Sequence, residues 1–106
     1  MPRVRSAKPI PMETLESAAL VLRVLAHPQR LKMVELLLAR PIAVGELAEA
    51  VGLAPAAVSQ HLNNMRAHGI VDCHRVGRQV HYEVINANAR HLIRCLRQYG
   101  DGCGLA

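Results

Sequence analysis

The stretch Val44 to Gly69, VGELAEAVGLAPAAVSQHLNNMRAHG, limits what the chain can fold into more than any other. It reads as two helices joined by a tight turn. Gly45 to Val51 carries Leu47, Ala48 and Val51 at helical spacing, and Gly52 suits the left-handed residue that closes a helix. Pro55 fits the first position of the next helix, where a missing N–H costs nothing. That helix places Val58, Leu62 and Met65 on one side in an i, i+4, i+7 stripe. Its other side offers Ala56, Ser59, Gln60, Asn63 and Asn64, which are small or amide-bearing, with no carboxylate. Hydroxyls and amides pair with base edges in a major groove, whereas a carboxylate is repelled by phosphate. An ordinary helical hairpin fits the same stretch, so the flanking chain has to decide.

Composition narrows the core. With 51% apolar residues but no Phe or Trp, the interior must be built from Leu, Val, Ala, Ile and Met, which favours packed helices over a large sheet. A length of 106 residues makes one domain with one core. The net charge is +5. Between Glu49 and Glu83 the only acid is Asp72, against Arg66, Arg75 and Arg78, so the acid-poor region coincides with the candidate reading helix. That balance favours a polyanion such as nucleic acid, although charge for solubility alone is compatible with +5. No run approaches the roughly 20 apolar residues of a bilayer span, and MPRVRSAKPIP lacks a signal-peptide core. The expectation is a cytoplasmic protein with no membrane partner.

Taken in order, residues 1–11, with Arg3, Arg5 and Lys8, are expected to form a flexible basic arm. A domain follows over 12–99, and 100–106 is a glycine-rich tail containing Cys103. Met12 to Ala26 reads as a helix with Leu15, Ala18, Ala19, Leu22 and Leu25 on its apolar stripe and Val21 and Val24 widening it. A helix apolar on two sides in so small a domain calls for a second copy. The next helix starts at Pro28 and ends before Pro41. Leu31, Val34, Leu37 and Leu38 face inward there, and Arg30, Lys32 and Glu35 outward. Pro41 to Val44 is a short connection with room for an isolated extended pairing.

After Gly69 the period becomes two: Ile70, Val71, Cys73 and Val76, then Val80, Tyr82 and Val84, flank Gly77-Arg78. This predicts a two-stranded hairpin with an acid-free tip bearing Arg75 and Arg78. Asn86 can cap a last helix over Ala87 to Tyr99, with Leu92, Ile93 and Leu96 opposite Arg90, Arg94 and Arg97. The fold class expected is mostly α with a small β-hairpin wing, in the order α-α-α-α-β-β-α. No phosphate-binding glycine loop, no nucleophile elbow and no paired carboxylates in a plausible cleft are found, so an enzyme is not expected.

At Leu25-Ala-His-Pro-Gln-Arg-Leu31, Glu46-Leu-Ala-Glu49, Val58-Ser-Gln-His-Leu62, His68-Gly-Ile-Val71 and Val76-Gly-Arg78, the chain resembles the ArsR/SmtB family of bacterial transcriptional repressors over roughly residues 12–99. The resemblance implies a winged helix-turn-helix and a homodimer formed through the first and last helices. It also implies binding to double-stranded DNA at an inverted-repeat operator with half-sites about 10 bp apart. By position it makes Ser59 and Gln60 the foremost base readers, with Ala56, His61 and Asn64 beside them. His61 also fits a packing role within the motif. Arg75 and Arg78 suit phosphate or minor-groove contact, Arg78 more strongly.

Family members usually respond to an effector. The familiar Cys-x-Cys of the helix-turn-helix is replaced by Ala43-Val44-Gly45, and the last-helix zinc pattern by Asn86, Asn88, Tyr99 and Gly102. Amides are poor zinc ligands. A different set remains. His91 and Cys95 are four apart on one helix face, Cys103 lies on the tail, and Cys73 is in the first wing strand. Such donors suit a soft effector ion, As(III), Zn(II) or Cd(II). Two alternatives stand beside that. A Cys95–Cys103 disulfide would make a redox or sulfur-species sensor, and incidental cysteines would leave a constitutive DNA-binding or interaction module.

Overall fold

A computed structural model describes residues 8–100. Five helices and a small sheet follow one another as α1 (Met12–Val24), α2 (Pro28–Ala39), β1 (Ile42–Ala43), α3 (Val44–Val51), α4 (Pro55–Ala67), β2 (Val71–Val76), β3 (Gln79–Val84) and α5 (Ala87–Gln98). Each break has a local cause. His27 and Ala54 are extended residues followed by Pro28 and Pro55 at the first helical positions of α2 and α4. Gly52 ends α3 at φ 73°, and the Gly52 and Leu53 amides both donate to the Ala48 carbonyl, at 2.9 and 3.1 Å. Any side chain at position 52 would be strained by that left-handed backbone. Asn86 caps α5, its Oδ1 accepting from the Ala89 amide at 3.0 Å.

The interior is a single cluster of Leu, Val, Met, Ile and Ala in which Tyr82 supplies the one buried benzenoid ring. Met33, Val34 and Leu37 of α2 lie at its centre, under Leu47 and Ala48 of α3, Val58, Leu62 and Met65 of α4, and Ile93 of α5. The turns that follow the helices bring in Leu25 and Ile70, both fully or almost fully buried.

The extended pairing for which Pro41 to Val44 left room makes the wing a three-stranded antiparallel sheet in the order β1-β3-β2, Ile42 pairing with Tyr82 and Ala43 with His81, and two other expectations are corrected. A two-residue strand is too short to show an alternation in the sequence. In α1 the valines that were to widen the stripe, Val21 and Val24, are the buried residues together with Leu25, while Leu15 and Leu22 are 44% and 52% exposed. Both stripes have helical spacing, and only the approach of α5 decides between them. In α2, Arg30 turns inward across the helix-turn-helix instead of facing solvent, as its three hydrogen bonds show below.

Candidate nucleic-acid interface

The orientation of α4 follows from its buried side. Val58, Leu62 and Met65 are fully buried against α3 and β2, which fixes the rotation of the helix about its axis. Ala56, Gln60, Asn63 and Asn64 are therefore exposed, with Ser59 half-buried on one shoulder and His61 half-buried on the other. No carboxylate stands in the first turn of α4 and no side chain caps its N-terminus. That end presents backbone amides and the positive pole of the helix dipole, both suited to phosphate.

The two shoulders differ. Arg30 donates from Nε to His61 Nδ1 at 3.0 Å, and from Nη1 to Asn64 Oδ1 at 3.2 Å and to the Val24 carbonyl at 2.8 Å. The His27 ring lies 6.1 Å from that of His61, tilted by 55°. Burial, then the Arg30 charge, then His27 push the His61 imidazole below its ordinary value. Asn64 is further tied by its own carbonyl, 2.9 Å from His68 Nδ1.

The wing projects from the same part of the molecule, β2 packing on α4. Val76 and Gln79 close a two-residue loop, Gly77-Arg78, in which Gly77 has φ 61°. Arg75 and Arg78 are exposed, and among the described residues neither is in an ion pair. Asp72, the acid nearest the reading helix, accepts from the Cys73 amide at 2.8 Å and from Arg66 Nε at 3.3 Å. The Cys73 amide first, and then Arg66, hold its carboxyl below the usual range. Its charge is thus partly answered by Arg66 before any polyanion arrives. Asn63, already on the acid-free side of the helix in the sequence, shares the exposed face with Gln60. Arg30 escapes the linear reading, which turns it outward from α2.

The thiols are distributed differently. His91 and Cys95 are both exposed on α5, one turn apart. Cys73 is half-buried in the wing, paired across the strands with Tyr82, whose hydroxyl is pushed up by burial and by the adjacent thiol. Cys103 lies outside the described residues. Among the described residues no three His, Cys, Asp or Glu side chains converge as a metal site would require. His91 and Cys95 alone offer two donors, short of the four usual for zinc.

An apolar-backed helix presenting amides, set beside an arginine-tipped wing, defines a winged helix-turn-helix DNA-binding protein. Comparison with known proteins agrees. The model of the bacterial regulatory protein, arsR family, matches residues 27–72. The nodulation protein NolR of Rhizobium meliloti is 34% identical over 98 residues, covering 89% of this chain and 80% of that protein. The crystal structure of the transcriptional repressor BigR from Xylella fastidiosa superposes with a TM-score of 0.73 at 30% identity, covering 90% of this chain and 95% of that one. A homodimeric winged helix-turn-helix domain from Mycobacterium bovis has the same fold, with a TM-score of 0.72 at 24% identity over 97% and 93% of the two chains. The chain belongs to the ArsR/SmtB family and is a DNA-binding transcriptional repressor of that family. Among the described residues no helix is long and apolar enough to cross a membrane.

Proposed function

We propose that the chain acts in the cytoplasm as a homodimer, without catalytic activity, binding an inverted-repeat operator and leaving it when a thiophilic effector reaches α5. The observation that carries the reading is α4: three fully buried side chains fix a front of Ala56, Gln60, Asn63 and Asn64 that contains no acid. On this reading Ser59 and Gln60 read base edges, Ala56 offers a methyl contact, and Arg75 and Arg78 meet the backbone. Dimerisation through α1 and α5 is supported by the apolar side chains that α1 leaves outside, Met12 at 66%, Leu15 at 44% and Leu22 at 52%. A surface of that kind is normally covered by a partner.

For the effector, the exposed pair His91 and Cys95 is the accessible starting point, with Cys103 as the additional thiolate. Cys73 joins only if the fold or the partner subunit brings it near. Because no three donors converge among the described residues, oxidation or persulfide chemistry at Cys95 is the second reading. One experiment separates them. Reduced protein is bound to its selected operator and challenged with As(III), Zn(II), Cd(II), an oxidant and a persulfide donor. Replacing Cys95 and Cys103 together with Ser should preserve binding and abolish release. Release of that double variant by the same effector rejects both cysteines as the sensor.

A further inference from the structure

Arg30 does more than tie α2 to α4. It stands in the first turn of α2, and its fork reaches three groups on two other helices: the Val24 carbonyl at the end of α1, and His61 and Asn64 on α4. A guanidinium has five N–H donors, no acceptor, and keeps its proton at any physiological pH. Whatever faces it must therefore accept. The Asn64 atom 3.2 Å from Nη1 has to be the carbonyl oxygen, so the amide's NH2 points away from Arg30. The His61 nitrogen 3.0 Å from Nε has to be bare, so the imidazole proton sits on Nε2. A free asparagine amide turns over readily and shows a partner either a donor or an acceptor. Here the choice is removed by a charged donor that the Val24 carbonyl itself holds at 2.8 Å.

We propose that Arg30 is a positioning residue for sequence readout: it holds Asn64 with its NH2 outward, so that this position selects a hydrogen-bond acceptor on the base edge, namely purine N7, guanine O6 or thymine O4. Arg30 touches no base itself. It acts through the amide, and the inference rests on α4 being the reading helix. Asn64 is exposed, as that role requires, while Arg30 is half-buried between the elements it joins.

The test begins with selection of bound duplexes from a random library by wild-type protein, followed by base-preference profiles for Arg30→Met, Arg30→Lys and Asn64→Ala. Asn64→Ala, at an exposed position, should retain the fold and lose preference at one base pair per half-site, by roughly five- to a hundredfold. Arg30→Met should relax preference at that same base pair, since the amide is then free to turn over. Arg30→Lys, which keeps the charge but not the fork, should do likewise if Arg30→Met fails to fold. Long-range proton–nitrogen NMR on the free protein gives a readout independent of DNA. The wild-type His61 should carry its proton on Nε2 alone, and the Arg30 variants should show mixed tautomers.

A proton on His61 Nδ1 in the wild type overturns the proposal. So does an Asn64→Ala profile identical to the wild type, or an Arg30 variant whose affinity falls equally on every sequence with unchanged preferences. If wild-type protein enriches no sequence, the operator reading falls and this proposal with it. Enrichment by the wild type without the predicted shift removes the proposal alone.

Discussion

Arg78→Ala tests the wing quantitatively. Arg78 occupies the two-residue loop at the tip, exposed and outside any ion pair among the described residues, so its removal leaves no buried charge unmatched. Each phosphate neutralised contributes about 0.9 to the slope of log affinity against log salt. A two-fold dimer has two tips, and the substitution should flatten the slope by about 1.8. Between about 50 and 200 mM salt the wild-type affinity should then fall about tenfold further than that of the variant. Because a backbone contact carries no sequence information, specific and random duplexes should lose alike. Fluorescence anisotropy over a sodium chloride series measures both quantities, with a thermal melt confirming the fold. An unchanged slope would remove Arg78 from the phosphate contact. A change near 0.9 would mean that one wing engages at a time, contrary to symmetric docking.

Further outcomes concern the helix and its shoulder. Gln60→Ala should weaken binding to the selected operator by about 1–3 kcal/mol while sparing random duplex, and equal losses on both would exclude a base-reading role. Leu62→Ala, at a fully buried position, should destabilise the fold by about 2–5 kcal/mol in a urea titration. A loss under about 1 kcal/mol would contradict the tight seat of α4. For His61, burial, Arg30 and His27 disfavour protonation in the folded state, below the ordinary 6.5. Between that lowered value and 6.5 the unfolded chain binds more protons, so stability is complete above pH 6.5 and declines as pH falls below it. His61→Gln should flatten the change in Tm between about pH 8 and pH 5.5, and an unaltered pH dependence would place the titration elsewhere.

Several elements were legible because local rules and tertiary packing agree. Pro28, Pro55, Gly52 and Asn86 punctuate the chain by backbone restriction and by a side-chain cap, effects that operate within a few residues. The stripe Val58, Leu62 and Met65 is buried as its spacing requires, and the Gly77-Arg78 turn follows from alternation on either side. The third strand was legible only as room for an extended pairing, and its partner was not, since Ile42 and Ala43 become a strand by pairing with residues some forty positions on, Tyr82 and His81. In α1, Leu15, Leu22, Val21 and Val24 satisfy a helical period equally, so periodicity could not tell which side meets the subunit's own core.

The reading helix shows the division most clearly. Its existence, its apolar back and its acid-free front are properties of residues within two or three turns of one another, and the sequence by itself determined them. The state of its side chains is another matter. That Asn64 turns its NH2 outward and His61 keeps a bare Nδ1 depends on Arg30, 34 and 31 residues away respectively. At the level of sequence Arg30 is one more polar residue on the outer side of α2. Only the tertiary fold, which sets the start of α2 within reach of α4, brings its donors onto those two acceptors. Helical period is a one-dimensional property, whereas hydrogen-bond orientation needs partners in three dimensions, and that is what tertiary structure alone decided here.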